Sequence, residues 1–150
     1  MWTPPRGQAT APAATTTSPF SHRTVSETKS PEAAFRAGIT EDARPWGKFR
    51  RFPHENVSSI KIITVDPGGR LSLQYHEGRA EFWVVLDAGL EITAGERVWE
   101  PAPNEEIFIA RGTPHRLRNK GTAPARVMEI WLGPSSESDI VRISDDYRRK

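Results

Sequence analysis

The chain has 150 residues and a mass of 16.8 kDa, enough for one domain with its own core. It has no cysteine, which excludes disulfides, thiolate metal sites and cysteine nucleophiles. The formal net charge of +2 arises early, since residues 1–40 hold four basic and two acidic side chains and residues 41–150 hold seventeen of each. The neutral body therefore lacks an electrostatic groove for nucleic acid.

Residues 1–30 are rich in Pro, Thr, Ser and Ala, nearly lack acids and show no apolar periodicity, the pattern of a segment that cannot bury a core. The expectation is a flexible extension over residues 1–40. No apolar h-region follows its few charges, which disfavours a secretory signal, while its acid-poor, Ser/Thr-rich composition also fits an organelle transit peptide weakly. Residues 31–38, PEAAFRAG, read as a short helix ahead of a domain placed at 41–150. From there strands and turns alternate. Residues 57–65 are β-branched and apolar, and DPGG at 66–69 stops them with turn chemistry. Strands are predicted at 71–76, 80–86, 90–93, 97–100, 106–110, 115–118, 125–132 and 140–143, with 90–93 and 97–100 joined as a hairpin. Closely spaced short strands without a long helical period predict an all-β sandwich or barrel. The longest apolar run, residues 82–86, is too short to span a bilayer.

Strand alternation turns Ser72, Gln74 and His76 to one face and Leu71, Leu73 and Tyr75 to the other. If Glu81 faces the same interior as His76, then Arg79, Trp83 and Val85 share its side, with Phe82 and Val84 outside. In ARGTPHRLRN at 110–119, Gly112 and Pro114 form a turn that delivers His115 to a new strand. In this pattern Gln74, His76, Glu81 and His115 resemble the ligand positions of the cupins, and the resemblance implies a mixed N/O ligand set. It suits Zn²⁺ first among divalent ions, with Fe²⁺, Mn²⁺, Co²⁺ and Ni²⁺ also accommodated, and not copper(I). The competing reading makes both histidines hydrogen-bonded strand residues and pairs Glu81 with Arg79.

The spacing from Gly68 through Gln74-Tyr75-His76 to Glu81, followed by Gly112, His115 and Asn119, resembles the two cupin motifs. Gln74 stands in place of the first histidine and Ala110 in place of the usual proline. With RPWG (44–47), RAEFWVV, GTPHRLRN and SDIVRISDDYRR, the chain resembles, over about residues 44–149, the cupin domain of type II mannose-6-phosphate isomerases. That domain often ends a longer enzyme that also carries a guanylyltransferase. Nothing here provides a Gly-rich nucleotide loop, so guanylyltransferase activity is not expected. The resemblance implies a double-stranded β-helix jelly roll and a metal-dependent interconversion of mannose 6-phosphate and fructose 6-phosphate. The sequence departs from the family's HHHRAEHW, since Glu77, Gly78 and Phe82 stand where histidines are common.

Such an isomerase needs a proton-transfer group and phosphate-binding cations. Glu81 and Glu129 are the candidate bases. Glu129 shares a strand face with Val127 and Trp131, yet it would equally face solvent opposite Met128, Ile130 and Leu132. Arg79, the Arg of the family's RAE motif, is the first choice for phosphate and also a candidate in catalysis; an ion pair with Glu81 or Glu77 is its bland alternative. Lys61 and Arg116 are further candidates for the phosphate, and Trp83 and Trp131 for the sugar pocket, although aromatic side chains also fill cores. Two other functions stay open, a noncatalytic cupin that binds a sugar or sugar phosphate and an iron oxygenase. A cytoplasmic homodimer is expected, because there is no convincing signal, the implied substrate is phosphorylated and a small sandwich leaves edges to cover.

Overall fold

A computed structural model of the chain describes residues 28–149. In chain order the elements are α1 (Pro31–Ala37), β1 (Thr40–Arg44), β2 (Gly47–Arg51), β3 (Val57–Val65), β4 (Leu73–Tyr75), β5 (Ala80–Val85), β6 (Leu90–Ala94), β7 (Arg97–Trp99), β8 (Glu106–Ile109), β9 (His115–Asn119), β10 (Ala125–Leu132) and β11 (Val141–Ser144). Two antiparallel sheets face each other, one ordered β3-β10-β5-β8 and the other β11-β4-β9-β6-β7, and the β1-β2 hairpin stands apart. This is the expected jelly roll, with strands crossing repeatedly between layers. Each strand predicted from residue 57 onward is present.

The space between the sheets divides in two. One end is dry, filled by Val65, Trp83, Val85, Leu90, Ile92, Leu117 and Val127 among others, while the other holds buried polar groups, including His76, Glu81, His115 and Glu129. Turns aim the strands into this arrangement. Gly68 and Gly112 both have positive φ, 78° and 75°, which a residue with a Cβ adopts at a cost. They begin the approaches to the strands carrying Gln74 and His115. Asn119 is fully buried; its Nδ2 donates to the carbonyls of Val65 and Ala123 and its Oδ1 accepts from the Gly121 N–H. Its matched position in the second motif is therefore a staple between strands.

The start of the packed unit differs from the sequence reading. The boundary expected at 41 falls inside β1, and α1 is docked ahead of it. Ser30 caps that helix by accepting from the Ala33 N–H, Pro31 occupies its first turn, and Phe35 packs on Phe82 with ring centroids 4.7 Å apart. Phe52 lies on the same ring at 5.7 Å. Phe82 is accordingly 0 % exposed, although alternation does place it on the face of β5 away from the barrel interior. The β1-β2 hairpin was missed because both strands are exposed at all but their central residue and carry little apolar content, TEDAR and GKFRR. The flexible extension was expected over residues 1–40; its first 27 residues lie outside the described ones.

Candidate metal centre

Strands β4, β5 and β9 converge to bring three of the four expected ligands together. One ligand atom each from His76, Glu81 and His115 fall within 4.8 Å of one another, and all three residues are buried. Register explains the placement: Gln74 is paired with His115 across β4 and β9, and Glu81 on β5 faces them from the opposite sheet.

Both imidazoles are oriented by carbonyl oxygens. His115 Nδ1 donates to the Thr113 carbonyl at 2.8 Å, and His76 Nδ1 donates to the Asp139 carbonyl. Each bond leaves the Nε2 lone pair directed inward. Burial lowers the His115 pKa, with the Glu81 charge acting against that shift, so its ring is neutral near pH 7. Glu81 behaves oppositely. Burial pushes its pKa up, but His76, His115 and Arg79 around it together hold it at about 2. Its Oε1 accepts from Arg79 Nε at 2.9 Å and its Oε2 from Trp83 Nε1 at 2.9 Å.

The decisive atom is His115 Nε2, which is buried without a hydrogen-bond partner among the described residues. Its nearest charged neighbour is Glu81 Oε2 at 3.5 Å, while His76 Nε2 stands 3.1 Å from Glu81 Oε1. A lone pair facing a carboxylate is unfavourable unless a cation lies between them. Ligand atoms about 2.1 Å from a shared ion stand about 3.0 to 3.4 Å apart at cis or tetrahedral angles, close to both separations. Two imidazoles and one carboxylate also form the donor set of N/O divalent sites with open positions. The residues present fit a divalent metal.

Gln74 sits beside the cluster rather than fully in it. Its Oε1 accepts from Ser72 Oγ at 2.6 Å, so its Nε2 faces His76 Nε2 at 3.5 Å. Turning the amide over would present the expected oxygen, since the Ser72 hydroxyl accepts as readily as it donates. Arg79 realises the ion pair with Glu81, and its Nη2 also donates to His76 Nε2 at 3.0 Å. Its Nη1 reaches Ser135 Oγ and the Ser136 carbonyl, and its guanidinium stacks 3.5 Å over Trp131. Trp131 is thus a platform for cations, Lys61 included at 4.3 Å.

Glu129 faces inward, not to solvent, and is 5 % exposed. Sequence alternation left its face open because Met128, Ile130 and Leu132 looked like a core side; in the fold α1 and Phe52 cover that side, so both faces of β10 are occupied. Trp131 Nε1 donates to Glu129 Oε1 at 2.6 Å, and Lys61 Nζ lies 3.4 Å away while also reaching Glu137 at 3.1 Å. Burial and then the Glu81 charge push the Glu129 pKa up to about 7, against Trp131 and Lys61. A cavity of about 180 Å³ joins Glu129, His115, Gln74, Trp83, Arg79 and Lys61. Wider grooves of about 650 and 710 Å³ run beside α1, but neither reaches the ligand cluster, and convergent buried polar groups mark the smaller cavity as the site. Arg116 borders it too, though buried His115 and Leu117 on either side turn the Arg116 side chain to the opposite face of β9.

Sequence reasoning missed Asp139. Its carboxylate accepts from the N–H groups of Glu77 and Gly78 and from Ser135 Oγ, while its carbonyl orients His76. A Cβ on Gly78 would lie 2.8 Å from Asp139 Oδ2, so the small residue lets the two loops nest. A backbone carbonyl far along the chain leaves no residue-type signal at the ligand.

Residues 35–145 match the family described as mannose-6-phosphate isomerase C-terminal. The chain belongs to this family. Curated relatives agree: a xanthan biosynthesis protein, XanB, of Xanthomonas campestris pv. campestris is 41 % identical over 107 residues, covering 71 % of this chain and 23 % of its own length. The alginate biosynthesis protein AlgA of Pseudomonas putida is 39 % identical, covering 71 % and 22 %. A mannose-1-phosphate guanylyltransferase of Salmonella muenchen is 40 % identical over 101 residues, covering 67 % and 21 %. The chain thus spans less than a quarter of these relatives. Among solved structures, a dTDP sugar isomerase of Desulfovibrio desulfuricans superposes with a TM-score of 0.55 at 12 % identity, covering 72 % of this chain and 82 % of that one. A Klebsiella pneumoniae protein with a double-stranded β-helix domain gives 0.51 at 16 %, covering 60 % and 77 %. At these identities the likeness speaks for the fold alone. No helix among the described residues is long and apolar enough to cross a membrane.

Proposed function

We propose that the chain is a metal-dependent aldose-ketose isomerase acting on mannose 6-phosphate and fructose 6-phosphate. The observation that carries this reading is the cavity onto which a buried two-histidine, one-carboxylate cluster opens through His115, and which a second buried carboxylate, Glu129, also lines. Membership of the isomerase C-terminal family supports the choice of substrate.

Isomerisation moves one proton between C2 and C1 and one between O2 and O1, with no net redox change. A divalent ion, Zn²⁺ in this reading, would be held by His76, Glu81 and His115 with Gln74 alongside, and would supply Lewis-acid polarisation of the sugar oxygens. Of the two candidate bases, Glu81 has both oxygens occupied by Arg79 and Trp83 and acts as ligand. Glu129 then moves the proton between the carbons, with Trp131 and Lys61 setting its position. Arg79 and Lys61 bring positive charge to the cavity wall, where charge-assisted hydrogen bonds to phosphate form. Trp83 fixes the Glu81 carboxylate and lines the sugar's approach.

One observation favours a noncatalytic sugar-phosphate binder instead: Glu77 and Gly78, at positions where the resembled family carries histidines, are pinned by Asp139 and bring no imidazole to the cavity. A coupled assay for fructose 6-phosphate separates the two. Turnover of mannose 6-phosphate that is abolished by chelation and by His115→Ala is expected; a metal-loaded protein that binds the sugar phosphate without turnover refutes the isomerase reading and leaves the binder. Oxygen consumption with ferrous iron would instead identify an oxygenase.

A further inference from the structure

We infer that Glu137, in the loop between β10 and β11, is a built-in competitor for the substrate's phosphate: its carboxylate occupies Lys61 until the phosphate displaces it, which weakens the affinity for phosphorylated sugars. The inference rests on the sugar-phosphate reading above, in which Lys61 is a phosphate cation, and adds a residue of opposite charge that tunes it.

The first observation is what Lys61 holds. Glu137 lines the cavity from the loop and Lys61 lines it from β3, and Glu137 Oε1 accepts from Lys61 Nζ at 3.1 Å. The same Nζ lies 3.4 Å from Glu129 Oε1. The two carboxylates are not alike. Glu129 is buried and also held by Trp131 Nε1, so taking its cation away leaves a charge in the interior. The Glu137 side chain is 81 % exposed, and water solvates its carboxylate as soon as it lets go. An entering phosphate therefore exchanges with Glu137 and not with Glu129. It carries more charge than a carboxylate and makes charge-assisted hydrogen bonds, whereas an exposed lysine-glutamate pair contributes little.

The second observation is that the loop does not depend on this pair. Ahead of Glu137, the Gly133 N–H donates to the Asn56 carbonyl and the Ser136 carbonyl accepts from Arg79 Nη1. After it, the Asp139 carboxylate accepts from the N–H groups of Glu77 and Gly78 and from Ser135 Oγ. These anchors fix the backbone on both sides, so the Glu137 side chain can leave Lys61 while the loop stays in place. A sugar phosphate then binds only after releasing this carboxylate, and a free sugar binds without doing so.

The test is calorimetric titration of metal-loaded wild type, Glu137→Gln, Lys61→Met and the double variant with mannose 6-phosphate and with mannose. Glu137→Gln removes the charge and keeps the shape of an exposed side chain. It should bind mannose 6-phosphate about 2- to 5-fold more tightly than wild type, the fold-change of one exposed ion pair, and bind mannose as wild type does. Where turnover is present, KM for mannose 6-phosphate should fall by the same factor. In the Lys61→Met background Glu137→Gln should change nothing, because the competitor acts through that lysine; Arg79 keeps binding measurable there. Unchanged or weaker binding of mannose 6-phosphate by Glu137→Gln overturns the inference and shows the contact to be a loop tether. A gain that persists in full in the Lys61→Met background overturns it as well, since the charge would then act by general repulsion. Both results leave the sugar-phosphate reading standing. Wild type without a preference for the phosphorylated sugar overturns that reading and this inference with it. If the Lys61 variants do not fold, the ratio of mannose 6-phosphate to mannose affinity in Glu137→Gln decides: a ratio no higher than that of wild type refutes the inference.

Discussion

Replacing Phe35 with alanine tests whether α1 is part of the barrel and not a decoration upstream of it. Phe35 is 8 % exposed and shields Phe82 and Ile130, which are 0 % and 2 % exposed. A nearly buried Phe→Ala change in a packed cluster costs about 3 kcal/mol or more, because transfer free energy and a cavity are both lost. Phe52, on the other side of the Phe82 ring, is held by the chain leaving β2 and cannot fill the gap. With a denaturant slope of about 1 to 3 kcal/mol/M for a domain of this size, the urea midpoint should fall by on the order of 1 to 3 M. Trp46→Ala, at a residue 73 % exposed, is the control and should stay within about 0.5 kcal/mol of wild type. Because β5 carries Phe82 between Glu81 and Trp83, the Phe35 variant should also bind metal more weakly. A loss below about 1 kcal/mol would show that the packed unit begins near residue 41 after all.

Two further outcomes are expected. In metal-free protein, Glu129 has a folded pKa of about 7 against an ordinary 4.5, so between those values the folded state binds more protons than the unfolded state. Its contribution is present below 4.5 and is lost as pH rises through 7; Glu129→Gln should therefore gain on wild type by about 3 kcal/mol between pH 4.5 and pH 8, and a pH-independent difference in urea unfolding would contradict the burial argument. Asp139→Ala removes the acceptor shared by Glu77, Gly78 and Ser135 and frees the carbonyl that orients His76. Metal affinity should fall about 10-fold or more in a direct titration, with Asp139→Asn retaining part of it; wild-type affinity in the alanine variant would show that the loop does not position the ligand.

Much of the barrel is legible in the sequence because period-2 alternation and Gly/Pro turns are local signals. The ligand cluster is legible for the same reason: Gln74 and His76 share a strand face, and a fixed spacing leads to Glu81. What escaped depends on contacts across layers. Glu129 looked ambiguous since alternation states which residues share a face and not what covers it, and the cover is α1, nearly a hundred residues earlier in the chain. Asp139 acts through its backbone carbonyl, which every residue type has.

The most direct measurement is a calorimetric titration of chelator-stripped protein with Zn²⁺, and in parallel with Mn²⁺, Co²⁺ and Ni²⁺, for wild type and His115→Ala. One ion per chain in wild type, lost or weakened by orders of magnitude in the variant, is the expected result, because His115 Nε2 is buried with no hydrogen-bond partner among the described residues. A wild-type chain that binds none of these ions, or a His115→Ala chain that binds them equally well, would contradict the metal centre on which the proposed chemistry depends.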